Sequence, residues 1–236
     1  MKIIDLKKEI GQFHLQVDYL ELEEGCIHGF IGGNGSGKTT LLKLIMGILS
    51  PDSGSIDYNG LNMKEITMTS QRPYLLHDSV YENIIYPLKI RGIRPEPGEI
   101  TEYLENCGME GKERQAARSL SSGEQQKVSM IRALCFHPRL IMIDETLSNL
   151  DPDSVDFFEK QILKIQEREK NTWILISHRL SEIARICDRI HVFHKGKVVE
   201  SGPAGEVLFH SEVPEVQRFL KGELLIEKEV DRRRIR

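Results

Sequence analysis

CIHGFIGGNGSGKTTLLKLI, residues 26–45, decides the architecture of this chain. Residues 26–31 form a short, mostly apolar run that leads into glycines, as a buried strand would. Leu41, Leu42, Leu44, Ile45 and Ile48 then follow helical spacing, with Gly47 weakening the end. Between strand and helix, the stretch from Gly32 to Thr39 fits G-x-x-x-x-G-K-[ST]. Gly35 and Gly37 allow backbone conformations closed to other residues, which lets N–H groups approach phosphate oxygens. Lys38 is then expected to reach the terminal phosphates, and the Thr39 hydroxyl to ligate Mg2+. The bland alternative is a glycine-rich turn, but glycines followed at once by Lys-Thr in this setting argue against it.

Working outward, Phe13, Leu15, Val17 and Tyr19 alternate with polar residues, which predicts a half-buried strand. Two turn signals in PDSGSIDYNG, residues 51–60, predict a small hairpin around Ile56 and Tyr58. Ser79 and Glu82 have capping-box spacing and open a helix that Pro87 is expected to kink or stop. RPEPG, residues 94–98, reads as a loop, and Ile100, Tyr103, Leu104 and Cys107 mark a short helix. Leu140 to Ile143 is an apolar strand ending in Asp144 and Glu145. Asp144 is placed to hold Mg2+, and Glu145, pointing the other way, to polarise an attacking water. Asp151 can cap a helix that starts at Pro152 and buries Val155, Phe158, Ile162 and Ile165. Residues 173–177 form another buried strand, ending at His178, and a hairpin turns at Lys195-Gly196. Strands alternating with helices give an α/β fold with a parallel sheet and a mainly helical insertion over residues 79–120.

The second informative stretch is SLSSGEQQKVSMIR, residues 119–132. Ser121 and Glu124 have capping-box spacing, while the bare Ser-Ser-Gly step also suits an anion at a helix start. Bulk properties narrow the class. The chain has 236 residues, 39% apolar and 29% charged, ordinary for a globular protein with a real core. A net charge of −4 lacks the basic surplus of a nucleic-acid binder. The apolar run near residues 41–49 is far too short for a membrane span, and the N-terminus has no signal-peptide pattern. Cys26, Cys107, Cys135 and Cys187 form no C-x-x-C pair and read as free thiols of a reducing compartment. The tail, residues 231–236, reads as a solvated end.

The order of these motifs, from Gly32–Thr39 through Leu120-Ser-Ser-Gly-Glu124 and Ile143-Asp-Glu145 to His178, resembles the ATP-binding cassette ATPases over roughly residues 1–220. That resemblance implies a P-loop NTPase (RecA-like) core with an antiparallel β subdomain and a helical signature subdomain at about residues 73–130, followed by a charged tail at 221–236. It assigns nucleotide binding to Gly32, Gly33, Asn34, Gly35, Ser36, Gly37, Lys38, Thr39 and Thr40. Ser121, Ser122, Gly123 and Glu124 become a signature that contacts ATP held by a partner subunit, in a homodimer or a heterodimer with a related ATPase. Gln71 takes the Q-loop place beside the metal, Asp151 the D-loop, and His178 the switch that touches the γ-phosphate; Glu145, His178 and Lys38 form the catalytic set. The cofactors that the resemblance implies are ATP and Mg2+.

The pattern departs from the family at Ser122 and Glu124 (usually glycine and glutamine) and at Thr146 and Leu147 (usually proline and threonine). The aromatic residue expected to stack on adenine is replaced by Ile10 or Phe13. Residues 74–92, YLLHDSVYENIIYPLKIRG, resemble the part of the insertion that grips a helix of an integral-membrane permease subunit. The likeness is to oxyanion importers of the molybdate or tungstate kind, which implies a peripheral place on the cytoplasmic face of the membrane. An extracytoplasmic solute-binding protein is then a further candidate partner, and nucleic acid is not. DNA-repair members of the family need a long coiled-coil insertion, and translation members carry two cassettes in one chain; this sequence has neither.

Overall fold

Strands and helices alternate along most of the chain. A computed structural model describes residues 1–96 and 98–223; the basic end, residues 231–236, lies outside the described residues. In order, the elements are β1 (Lys2–Ile10), β2 (Phe13–Glu21), β3 (Ile27–Ile31), α1 (Lys38–Ile45), β4 (Ser53–Asp57), β5 (Ile66–Thr69), α2 (Val80–Arg91), α3 (Glu99–Asn106), α4 (Ser122–Leu134), β6 (Leu140–Asp144), α5 (Pro152–Glu169), β7 (Thr172–Ile176), α6 (Leu180–Ile186), β8 (Arg189–His194), β9 (Lys197–Pro203) and α7 (Ala204–His210). They fall into two compact units, Met1–Met63 with the chain from Thr172 onward, and Lys64–Asn171.

In the first unit the strand order is β4-β1-β2-β9-β8-β3-β7. The β4, β1 and β2 edge is antiparallel, whereas β8, β3 and β7 run parallel. The predicted alternation along β2 holds for Leu15 and Val17, which are buried, but Tyr19 is 55% exposed and Leu20 takes the inner place. The inward phase changes on both strands together while their register stays constant: buried Ile3 faces Leu20 and buried Leu6 faces Val17. Between them Asp5 stands at φ 48°, and there the register of β1 with β4 shifts. Residues 51–60 form no hairpin of their own. The strand β4 pairs instead with β1 (Ile3 opposite Ile56), held at its entry by Asp52, which accepts from Lys8 Nζ and the Glu9 amide at 2.7 Å each. Ile48, expected on the apolar stripe of α1, is 62% exposed, because the helix ends at Ile45 and Gly47 turns the chain at φ 68°.

The β3 strand is buried on both faces, as central parallel strands are. It carries His28, which therefore needs partners. His28 Nε2 lies 3.0 Å from the Glu23 carbonyl, His28 Nδ1 2.9 Å from His191 Nε2, and His191 Nδ1 2.9 Å from Ser201 Oγ. Since a carbonyl can only accept, one run of protons satisfies the chain: His28 Nε2–H donates to Glu23, His191 Nε2–H to His28, and Ser201 to His191. Burial pushes both imidazoles below their ordinary pKa, His191 to about 3, where neighbouring His28 and Arg189 add to the effect.

In the second unit, β5 and β6 pair in parallel, with Ile66 opposite Leu140 and Thr69 opposite Ile143. The α2 helix is capped by Ser79, whose side chain accepts from the Glu82 amide, and it runs past Pro87 to Arg91 instead of stopping there. Arg91 Nη1 donates to the Pro87 carbonyl at 3.0 Å and the guanidinium lies 4.1 Å over the Phe136 ring. The stripe Ile100, Tyr103 and Leu104 of α3 is buried, with Cys107 just after it. On α5 the predicted Val155, Phe158, Ile162 and Ile165 all face inward, each contributing about 1.5–3 kcal/mol of apolar burial.

Candidate nucleotide-binding site

The start of α1 is built from backbone. Gly32, Gly35 and Gly37 have φ of 141°, 72° and 110°, all positive. A Cβ at Gly32 would sit 2.1 Å from the Phe193 carbonyl oxygen, and one at Gly37 would lie 2.7 Å from Leu15 and 3.1 Å from the Phe13 ring. Only glycine fits these two places, whereas Gly33 and Gly35 face open space. Gly37 is the N-cap of α1 and offers no side chain, and the first turn holds no acid. The amides of Lys38, Thr39 and Thr40 thus begin a helix whose own cap and first turn supply no carboxylate, and the macrodipole favours an anion there. Lys38 is buried, and its ammonium donates to the Gly32 carbonyl at 2.6 Å, the Gly33 carbonyl at 3.1 Å and Ser36 Oγ at 3.4 Å, so a cation stands inside the loop. The loop is braced from behind by the β8–β9 turn: Gly196 N–H donates to the Ser36 carbonyl, and the Gln16 amide to Gly196 O. Of the two candidates for base contact, Phe13 rests on the loop at Gly37, while Ile10 is 46% exposed at the hairpin tip.

His178 follows β7, and the phosphate loop follows β3; Phe30 and Ile176 pair in register, so both stand at the carboxyl ends of adjacent parallel strands. That edge is where open α/β sheets place ligands. Residues on either side of His178 are tied to fully buried Glu182: Ser177 Oγ donates to it at 2.7 Å and Arg179 Nη1 lies 2.9 Å away. The sequence reading did not find Glu182, which lies on the next helix.

In the second unit Gln71 and the Asp144-Glu145 pair follow the carboxyl ends of β5 and β6. Asp144 is buried, and Glu145 is half-buried at φ 53°, an uncommon backbone angle for a residue with a side chain. The departure at Thr146 has a local reason, since its hydroxyl lies 2.7 Å from that of Thr69 and links the ends of the two strands. Leu147 is buried.

The α4 start differs from that of α1. Ser121 and Glu124 form a complete capping box. Both the Ser121 amide (2.8 Å) and its hydroxyl (2.7 Å) donate to Glu124 Oε2, and Lys112 pairs with Glu124 Oε1. The Lys112 ammonium, then Ser121, hold the Glu124 carboxyl down at about 2. Farther along α4, buried Gln126 donates to the Gln71 carbonyl, and Lys127 Nζ binds Asp151 Oδ2 at 2.8 Å and the Cys107 carbonyl at 2.9 Å. One helix therefore joins the signature, Gln71 and Asp151. Asp151 also caps α5, accepting from the Ser154 amide and hydroxyl; Lys127, then Ser154, hold its carboxyl far below the usual range. Lys112, Gln126 and Lys127 were not singled out from sequence, because their partners lie far along the chain. Tyr74, Tyr81, Tyr86 and Ile90 are exposed in the expected docking segment, with exposed Ile93 just beyond it.

The family described as ABC transporter matches residues 15–148. The tungstate uptake system ATP-binding protein TupC of Peptoclostridium acidaminophilum is 38% identical over 206 residues, which cover 84% of this chain and 96% of that protein. The methionine import ATP-binding protein MetN 2 of Listeria monocytogenes is 34% identical over 224 residues, 88% of this chain and 66% of its own length. The chain thus spans about two thirds of that second relative. Among solved structures, the ATP binding subunit of an ABC transporter superposes with a TM-score of 0.81 at 22% identity, covering 93% of this chain and 98% of that one. The cbiO1 protein from Clostridium perfringens, part of the ABC transporter complex cbiONQ, gives 0.72 at 25% identity, covering 96% and 98%.

Proposed function

This chain belongs to the ABC transporter family, and we propose that it is the ATPase that drives an oxyanion importer through separate permease subunits on the cytoplasmic face of a membrane. The observation that carries the nucleotide reading is the α1 start: a glycine loop, an enclosed lysine and an uncapped helix end at the carboxyl edge of parallel strands. Lys38 and the first amides of α1 bind the β- and γ-phosphates, and Phe13 contacts the base. Thr39 and Asp144 are hard oxygen donors that fit Mg2+, which keeps some of its waters and takes few protein ligands. When bound, Mg2+ neutralises charge developing between the β- and γ-phosphates.

Glu145 accepts a hydrogen bond from the attacking water and aims it at the γ-phosphorus; His178 steadies the γ-phosphate oxygens, and ADP leaves. Two copies pair head to tail, so that Ser121 of one copy meets the γ-phosphate on the other. Hydrolysis removes that contact and lets the pair reopen. The exposed Tyr74, Tyr86, Ile90 and Ile93 suit a permease helix. No helix among the described residues is long and apolar enough to cross a membrane, which agrees with separate membrane subunits. The TupC likeness supports tungstate or a similar oxyanion as the solute, with an extracytoplasmic binding protein delivering it.

The test is Glu145→Gln with Mg-ATP. It is expected to give a long-lived dimer on size exclusion with hydrolysis reduced at least a hundredfold; unchanged turnover removes Glu145 from this role. Tungstate uptake measured by mass spectrometry in cells lacking the chain tests the solute, and unaltered uptake removes the oxyanion assignment.

A further inference from the structure

The two donors that the paired-site reading needs from Ser121 are already in use. Its amide and its hydroxyl both point at one oxygen of Glu124, and the other oxygen is held by Lys112. A carboxylate and a phosphate oxyanion compete for the same donors and repel one another. Ser121 is exposed, so an incoming phosphate can reach it, but it cannot donate its hydroxyl to that phosphate and to Glu124 together. Lys112 sits in the turn just after Gly111 (φ 75°), outside any helix, and its side chain is 35% exposed. Such a side chain can follow a moving carboxylate while keeping its charge covered.

We infer that Glu124 and Lys112 form a latch on the signature, in which Lys112 is a positioning residue: the γ-phosphate from the other copy displaces Glu124 from Ser121, and Lys112 holds the displaced carboxylate. The inference rests on the paired-site reading above. The latch makes engagement of Ser121 an exchange of hydrogen bonds, so pairing requires more ATP than an unlatched signature would. Lys112 acts only through Glu124, and its influence vanishes when residue 124 is neutral.

The experiment measures the ATP concentration for half-maximal dimerisation by size exclusion with light scattering, in the Glu145→Gln background. Glu124→Gln keeps a neutral N3 acceptor for the cap and is expected to lower that concentration about tenfold, the size of one charge-assisted hydrogen bond. Lys112→Ala, which leaves the carboxylate without its counter-charge, is expected to raise it about tenfold, and Lys112→Arg to restore it. In the combined Glu124→Gln/Lys112→Ala protein the lysine change is expected to have no effect beyond about twofold, because its target is gone. Equal shifts from Lys112→Ala with Glu or Gln at position 124 overturn the latch and make Lys112 a direct phosphate ligand. A Glu124→Gln protein that needs as much ATP as its parent, or more, also overturns it. If Glu145→Gln itself never pairs at any ATP concentration, the paired-site reading fails, and the latch with it. Thermal unfolding of each variant without nucleotide separates these outcomes from loss of fold.

Discussion

The two helix starts, α1 and α4, can be compared position by position. In α1 the cap and first turn read Gly37, Lys38, Thr39, Thr40; in α4 they read Ser121, Ser122, Gly123, Glu124. Both starts present the same orphan amides and the same partial positive charge. They differ in what answers it. The first has neither a capping side chain nor an acid, while the second supplies its own anion from its third position and anchors that anion with Lys112. A bare start is ready for an external phosphate, whereas a self-capped start is stable alone and must exchange partners to bind one.

Removing the cation from the bare end is expected to have the largest effect. Lys38→Ala should lower ATP hydrolysis by about 10²–10³-fold in a phosphate-release assay, and a loss under about fivefold would take the lysine out of the site. Next comes making one end like the other. Thr40→Glu puts an acid at the α1 position that corresponds to Glu124, and should weaken ATP binding about tenfold by fluorescence titration, from repulsion and competition for the first amides. Affinity equal to the parent's would mean that the ligand does not approach this helix end. A smaller effect concerns stability. Ser121→Ala removes the α4 cap and should cost about 0.5–2 kcal/mol in urea unfolding without nucleotide.

The smallest effect is a pH dependence. Glu124 titrates lower in the folded chain than in the unfolded one, so its stabilising contribution is complete above pH 4.5 and is lost as pH falls through about 2. The difference in melting temperature between the parent and Glu124→Gln should therefore be constant from pH 7 to 5 and shrink below pH 4.5. A gap that closes already near neutrality would show that Lys112 does not hold the carboxylate down.

What could be read from sequence was local. The glycine loop, the Ser121 and Glu124 cap, and the Asp151 cap with its buried stripe each depend on residues a few positions apart, where spacing alone carries the geometry. Readings failed where a distant partner decided the outcome. Tyr19 faces out and Leu20 faces in, opposite buried Ile3, where β1 is irregular at Asp5 and shifts its register with β4. Residues 51–60 looked like a self-contained hairpin, but β1 takes β4 as its neighbour. Pro87 leaves its helix intact, with Arg91 bonded to the proline carbonyl and stacked on Phe136. The same limit hid Lys112, Gln126 and Glu182, three supports of candidate site residues whose side chains are ordinary taken alone. Composition indicated a globular chain without the basic surplus of a nucleic-acid binder, and left the chemistry to the motifs.

The bracing of the phosphate loop by Gly196 has a consequence for binding. A segment with four glycines among eight residues has large conformational freedom when unfolded, and a free loop of that kind would have to be ordered by its ligand at the expense of affinity. Here the Gln16–Gly196–Ser36 relay settles the backbone before any phosphate arrives. The cradle is preorganised, its ordering entropy is spent during folding, and a change at Gly196, far from the phosphates in sequence, should be felt as slower or weaker capture of nucleotide. A Cβ there would lie 1.9 Å from the His14 carbonyl oxygen, so the turn has little room to give.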